Sequence, residues 1–440
     1  MNTLQEATHW IKNSITIKMA TIGFLALVLL IPASMVQDII KERSQSHNEV
    51  VKEVTGKWGT SQIIAGPILT IPYKIIEIEN GKTTERITHA HFLPEKLIIS
   101  GIINPEIRNR SIYKVILYNA NIKVSGNFDK PNLEALNIPS ENVQWEEAFI
   151  TVGITDLRGI RRTVEIDWDG KKLQGNPGVL DKKIVNSGIN TKVALQPDSG
   201  SSQFSFAIDL NGSENISFVP FGKETHVTME SKWNSPGFQG AFLPEKREVT
   251  KDGFNAEWNV LQLNRNYPQQ WTNLDDHEVT ESAFGVDLIF PIDHYQKSTR
   301  SSKYAVMFIF LTFLAFFVNE VINKARIHPV QYLLIGLSLI IFYTLLVSLS
   351  EYIGFNWAYL SASMATIALI AGYAMSITKR KVGIIIGLIL VLLYGFLFVL
   401  LQLEDYSLMF GSIGLFVILG GIMVASRKVD WYAPLNKKKE

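Results

Sequence analysis

The sequence predicts a polytopic α-helical membrane protein: six transmembrane helices, with a large all-β or mostly β extracytoplasmic domain inserted between helices 1 and 2. Three observations carry this. Apolar runs of bilayer length occur at 19–36, 304–321, 330–350, 356–377, 382–403 and 406–426. Residues 37–303 contain no comparable run and change to a period of two. The short connections between runs alternate in charge. A spanning helix needs about 20 apolar residues, because a rise of 1.5 Å per residue must cover ~30 Å of hydrocarbon. Lipid offers no partners to the backbone, so runs of this kind form helices.

In chain order, residues 1–18 form a short cytoplasmic interfacial segment, with Leu4, Ala7, Ile11 and Ile15 at helical spacing. Residues 19–36 form the first span. Met19 to Ile31 also has the length of a signal-peptide core, but Pro32-Ala33-Ser34-Met35 is a poor cleavage site, so an uncleaved anchor is expected. Ile39, Ile40, Val50, Val51 and Val54 continue a helical rhythm to about Thr55. The inserted domain then occupies the chain to residue 303. Gln203 to Leu210 alternates strictly, as a half-buried strand does, and Asn211-Gly212 predicts a tight turn after it. Ile68 to Ile78 ends at Asn80-Gly81, a second turn signal. Further strands are expected over 112–125, 148–154, 161–168, 225–230, 255–263 and 284–290, which together suggest an antiparallel sandwich or a barrel. Phe92-Leu93-Pro94-Glu95-Lys96 recurs as Phe242-Leu243-Pro244-Glu245-Lys246, an echo compatible with two related halves or with a shared turn into a strand. Residues 304–426 form a five-helix bundle and 427–440 a basic cytoplasmic tail.

The formal net charge is +1, but Lys and Arg collect in particular connections. Lys324 and Arg326 follow the second span, Lys379, Arg380 and Lys381 the fourth, and Arg427, Lys428 and Lys437–Lys439 the sixth. Glu351, Glu404 and Asp405 follow the third and fifth. Positive charge marks cytoplasmic loops, so both termini are expected in the cytoplasm and the β domain outside it. The tail is thus a topology signal, and no nucleic-acid partner is expected. The absence of cysteine excludes disulfides, thiolate metal sites and thiol nucleophiles.

Several motifs occur together. Lys57-Trp58-Gly59-Thr60-Ser61-Gln62 and Gly66-Pro67-Ile68-Leu69-Thr70-Ile71-Pro72-Tyr73 follow the first span. Ser282-Ala283-Phe284-Gly285-Val286, Asp293-His294-Tyr295, Arg300 and Lys303-Tyr304-Ala305 close the domain. Asn319-Glu320, His328-Pro329-Val330-Gln331-Tyr332, Phe342-Tyr343, Ser348 to Glu351, Leu403-Glu404-Asp405-Tyr406 and Asp430-Trp431-Tyr432 mark the membrane part. With these the chain resembles the CreD family of bacterial inner-membrane proteins, also called cell envelope integrity proteins. One departure is Tyr352, where the resemblance leads one to expect histidine after Ser350-Glu351. The resemblance implies an inner-membrane, multi-pass protein of envelope integrity and envelope stress, linked to cell-wall antibiotics and colicin tolerance. It implies no enzymatic reaction.

Candidate sites are few. Glu320 precedes Lys324 by four residues, the order that favours a helical ion pair. Arg300, Lys303, Glu351, Glu404 and Asp405 fall at the same ends of their spans. They read as an ionic collar, as carboxylates for a divalent cation, or as solvated loop acids. Gly383 and Gly387 give Gly-x-x-x-Gly in the fifth span, and Ser361/Ala365 and Ala362/Thr366 give small faces in the fourth. Such faces serve close helix packing, more readily within the chain than between copies. His89-Ala90-His91 puts two imidazoles on one strand face, read as polar residues on a solvated face for want of a third metal ligand. Asp156-Leu157-Arg158-Gly159 is expected to pin a turn through an Asp–Arg pair. No nucleophile elbow, zincin, P-loop or dinucleotide motif occurs. The expectation is therefore a non-catalytic protein without metal or cofactor. Its partners are the lipid bilayer and a periplasmic envelope or cell-wall protein or ligand, and its oligomeric state is left open. A small transporter or lipid-flipping bundle, or a membrane-proximal hydrolase, is the alternative.

Overall fold

The computed structural model describes residues 15–79, 82–182, 184–197, 200–273, 275, 277–290, 294–323, 327–403 and 406–427. The chain divides into a helical unit, Met1–Asn48 with Ile292–Glu440, and a β unit, Glu49–Pro291.

The described chain opens with α1 (Ile15–Val28) and α2 (Leu30–Trp58), separated only at Leu29, and α2 ends within the β unit. Pro32 lies one turn beyond Val28 and has no N–H to offer its carbonyl. Leu29 N–H to Leu25 O (3.0 Å) and Ala33 N–H to Leu29 O (3.1 Å) carry the helix across the break. Leu29, Ala33, Val36 and Ile40 form one buried stripe at helical spacing. Then come α3 (His294–Lys303), α4 (Ala305–Asn323), α5 (Pro329–Ile353), α6 (Phe355–Ile377), α7 (Arg380–Gln402) and α8 (Ser407–Ser426). Among the described residues six helical segments are long and apolar enough to cross a membrane: Thr16–Trp58, Ala305–Ile322, Pro329–Ile353, Phe355–Ile377, Arg380–Gln402 and Ser407–Val424. The short helix α3, distinct from the second span, had no apolar signal to reveal it.

Local chemistry fixes several helix ends. His328 caps α5: its ring accepts from Val330 N–H (3.3 Å), and the Gln331 side chain accepts from His328 N–H (2.9 Å). Pro329 fills the first helical position, where an N–H has no use. The unit's core is aromatic, built on Phe308, Phe313, Phe316, Tyr332, Phe342, Tyr343, Tyr359 and Tyr394.

The β unit contains β1 (Gln62–Glu79), β2 (Lys82–Phe92), β3 (Lys96–Arg110), β4 (Tyr113–Phe128), β5 (Phe149–Ile154), β6 (Glu165–Trp168), β7 (Lys171–Gln174), β8 (Asn176–Pro177) and β9 (Gly188–Lys192). It continues with β10 (Ser202–Ser213), β11 (Asn215–Val219), β12 (Glu224–Ser231), β13 (Pro236–Gly240), β14 (Lys246–Thr250), β15 (Gly253–Leu261), β16 (Gln270–Thr272) and β17 (Phe284–Leu288). A nine-stranded sheet runs β13-β17-β11-β1-β5-β9-β8, with β2 beside β1 and β16 beside β2. An eight-stranded sheet runs β14-β15-β12-β3-β4-β10-β6-β7. Both contribute to one hydrophobic cluster that includes Ile64, Ile150, Phe218, Val227, Trp258 and Phe284.

Two expectations change. The sheets are mixed rather than antiparallel throughout, because β11 lies parallel to β1 and β12 parallel to β3. A parallel pair needs a long crossover, and here the intervening strands of the unit supply it. Asn211-Gly212 is not a turn: Asn211 pairs with Asn119 and Gly212 with Tyr118 inside β10. The chain instead leaves the eight-stranded sheet at Glu214, whose φ is 61°, and enters the nine-stranded sheet as β11. Gly212 is needed for space, since a Cβ there would stand 2.3 Å from the Tyr118 hydroxyl. Asn80-Gly81 lies outside the described residues, and Glu79 pairs with Lys82 on either side of it.

The two Phe-Leu-Pro-Glu-Lys copies hold equivalent places. Each carries the chain from the nine-stranded to the eight-stranded sheet, from β2 to β3 and from β13 to β14. In each, the Glu N–H bonds a carbonyl on the hairpin's second strand: Glu95 to Asn127 (2.9 Å) and Glu245 to Glu257 (2.8 Å). In each, the Lys pairs with that same residue, Lys96 with Asn127 and Lys246 with Glu257.

Candidate functional site

The densest polar chemistry of the β unit lies on three adjacent strands. Thr70 on β1 pairs with His91 on β2, which pairs with Trp271 on β16. The alternation of β2 puts His89 and His91 on one face. That face is not solvated as the sequence suggested: His91 is fully buried and His89 partly so. Asp181, from the loop before β9, and Asn273, just after β16, close over the two rings. His91 Nδ1 lies 3.0 Å from Thr70 Oγ1, and its Nε2 bonds Asn273 Oδ1. His89 Nδ1 is 3.2 Å from both Asp181 Oδ2 and Asn273 Nδ2. Asn273 Nδ2 also donates to Asp181 Oδ2 at 2.5 Å. Trp271 packs on His91 with ring centres 5.5 Å apart and meets His277 edge-on at 5.6 Å.

One assignment of protons satisfies this network. His91 Nε2 donates to Asn273, and its Nδ1 accepts from the Thr70 hydroxyl. The Asn273 amide donates to Asp181 and to His89. The Asp181 carboxylate also lies directly beside both rings, 3.2 Å from His89 Nδ1 and 3.6 Å from His91 Nε2. Among the described residues no three His, Asp or Glu side chains converge to hold a metal ion. The cluster ties three strands and a loop together.

In the helical unit, Glu320 is buried and takes three donors among the described residues: Lys18 Nζ, Ile327 N–H (3.0 Å) and Tyr332 OH (3.1 Å). Lys324, its sequence partner, lies outside the described residues, as do Glu404 and Asp405. Arg300 donates to the carbonyls of Leu400 and Leu403, at 3.3 and 2.9 Å, so it caps the end of α7. Glu351 accepts from Tyr295 OH at 2.9 Å. Lys303 is exposed. Gly383 and Gly387 face α6: a Cβ would meet Met375 backbone N at 2.7 Å from the first and Ala371 Cβ at 3.1 Å from the second. Ala362 and Thr366 are buried, whereas Ser361 and Ala365 are exposed. Sequence reasoning missed Lys18, Asp181 and Asn273. All three reach their partners across long separations, and no local spacing could have shown them.

The family described as Inner membrane protein CreD matches residues 14–432. Inner membrane protein CreD of Escherichia coli (strain K12) is 34% identical over 432 residues, covering 96% of this chain and 95% of that one. The chain belongs to the CreD family. It is therefore an inner-membrane protein with several apolar helices. In this CreD family member the motif Lys57 to Gln62 makes the junction where α2 runs into β1. Thr60 donates through N–H and Oγ1 to Asp156 Oδ2, at 3.0 and 3.1 Å. Gln62 Nε2 donates to the carbonyls of Asp156 and Asn211, both at 3.1 Å. Gly59, with φ of 150°, passes so close to Asn211 that a Cβ would stand 2.6 Å from its carbonyl oxygen. Arg158 grips Asp156 with Nε and Nη2, both at 2.8 Å, and reaches the Gly56 carbonyl with Nη1. The turn is pinned as its sequence suggested. Arg158 and the Thr60 donors hold the Asp156 carboxyl down at about 2.

Proposed function

We propose that this CreD family member is a non-catalytic multi-pass protein supporting envelope integrity and the envelope-stress response, including tolerance to cell-wall antibiotics and colicins. Its β unit faces the periplasm and contacts an envelope or cell-wall partner or ligand there. Both chain ends are cytoplasmic, as the positive connections Lys324–Arg326 and Lys379–Lys381 argue. One observation carries the reading: the insert between the first and second apolar helices has its own closed core, so its surface is free for recognition. That surface includes a groove of about 490 Å³ at the exposed edge strand β14, lined by Ile102, Asn104, Glu230, Lys232, Glu248 and Asp252. Its mix of one exposed apolar side chain and charged rims suits a polar partner surface.

Photo-crosslinkers placed at Ile102 and Val249 in intact cells test this. A specific envelope-protein adduct is expected, and a loss of that adduct on Glu248→Lys. Adducts to lipid alone would remove the reading. Reporter fusions at Asn211 and Lys439 test the orientation; a cytoplasmic signal from the first or an external one from the second would overturn it. Deleting residues 56–290 with all spans kept should abolish the phenotype. A retained phenotype would return the function to the bundle, the transporter-like alternative.

A further inference from the structure

Between α6 and α7 runs an open cleft of about 490 Å³. Its walls are Trp357, Tyr359, Met364, Val391, Gly395 and Phe398, with few polar atoms among them. Gly395 keeps it open, for nothing lies within 4 Å of where a Cβ would stand. Such a volume is in the range of ligand sites. Along α6 the lining extends from Asn356 to Ile367. At 1.5 Å per residue that is ~16 Å, close to half of a ~30 Å hydrocarbon core. The cleft is thus as deep as one leaflet.

One end is polar. Lys297 Nζ donates to Gln402 Oε1 (3.1 Å), and Gln402 Nε2 donates to Asn356 Oδ1 (2.8 Å). Asn356 belongs to the cleft lining, so this relay sits at its mouth. Trp357, exposed beside Asn356, marks the same end as the interfacial one. Among the described residues Lys297 has no carboxylate partner, and its ammonium stands 5.8 Å from the centre of the Phe355 ring.

We propose that this cleft is a binding site for an anionic phospholipid of the adjacent leaflet, its acyl chain laid along α6 and α7 and its phosphate at Lys297. An apolar slot of one-leaflet depth selects a single chain, and a lysine ammonium with two amide side chains at the mouth selects an anionic head. The inference rests on the spanning helices and not on partner contact by the β unit, so either can fail alone.

Native mass spectrometry of the purified full chain tests it, with phosphatidylglycerol and phosphatidylcholine of identical acyl chains in competition. Phosphatidylglycerol should be retained about fivefold over phosphatidylcholine, the worth of one basic residue at an anionic surface. Lys297→Gln should erase that preference and keep the binding. Gly395→Trp, filling the slot, should cut retention of both lipids by about tenfold. Met364→Trp fills the slot from α6 and serves if the first variant misfolds, as judged by size exclusion. Equal retention of the two lipids by the native chain would overturn the proposal. So would unchanged adducts in a folded, cleft-filled variant. Displacement of phosphatidylglycerol by an equimolar isoprenoid phosphate would overturn the phospholipid assignment.

Discussion

Glu320 and Asp156 are two nearly buried carboxylates, one in each unit, and each has a cation and further donors. They differ in what surrounds the cation. Lys18 is 22% exposed, whereas Arg158 is 62% exposed. Glu320 therefore sits in a closed polar island between α1, α4 and the start of α5, among Phe313, Phe316 and Tyr332. Asp156 sits at a wet junction whose other donors are local backbone and hydroxyl groups. The comparison teaches that the number of partners does not set the value of an ion pair. The access of water to its weaker-held member does, because water can replace a lost partner at Asp156 and hardly at Glu320.

The sharpest test removes each carboxylate. Glu320→Ala leaves the Lys18 ammonium, Ile327 N–H and Tyr332 OH facing each other without an acceptor. A loss of about 3–5 kcal/mol is expected, the usual cost of breaking a buried pair. Thermal unfolding of the purified protein in detergent checks it. A loss no larger than that of Asp156→Ala would break the comparison. His91→Phe extends the test to the β unit's own dry polar cluster. It keeps the ring packing on Trp271 and strands Thr70 Oγ1 and Asn273 Oδ1. About 2 kcal/mol should be lost, the cost of buried groups left unpaired. If His91→Phe proves neutral, the cluster is wetter than its burial suggests.

The same contrast governs what the sequence could show. The spans were legible because lipid imposes a length and a polarity on each helix separately. The Asp156–Arg158 pair was legible because its members stand two residues apart in one turn. The echoed pentapeptide was visible as a repeat, yet its meaning as a passage between sheets needed the strand order. Glu320 was noticed as an ionisable residue, but Lys18 stands 302 residues before it. His91 was misread as solvated, because the loop bearing Asp181 and the strand bearing Trp271 cover it from 90 and 180 positions on. Local rules see one element's own faces. They do not see which distant loop is laid across one. The parallel pairs β1–β11 and β3–β12 escaped for the same reason, since alternation is identical in parallel and antiparallel strands.

At the wet junction, pH offers a finer probe than mutation alone. A carboxyl held at about 2 rather than its ordinary 3.8 favours the folded state whenever it is ionised. The depressed value means that this contribution is complete above pH ~4 and disappears as pH falls through ~2. The difference corresponds to roughly 2 kcal/mol, reduced to about 1–2 kcal/mol because Arg158 is largely exposed. Asp156→Asn should therefore unfold a few degrees lower at pH 6, and the gap to the native chain should close toward pH 2. A gap that stays constant with pH would assign the effect to lost hydrogen bonds rather than charge.

The smallest expected effect lies back in the helical unit, where Tyr295 OH reaches Glu351 at 2.9 Å. Glu351 is partly exposed, so it resembles Asp156 in hydration although it belongs to the unit of Glu320. Tyr295→Phe should cost about 1 kcal/mol, the net worth of one hydrogen bond with water as the competitor. If hydration decides, the loss stays near that value and Glu351→Gln matches it. If membership of the helical unit decides, Tyr295→Phe approaches the loss at Glu320, and thermal unfolding of the two variants side by side separates the cases. The first outcome is expected, because Glu351 is only partly buried and solvent at such a site can take the place of the tyrosine hydroxyl.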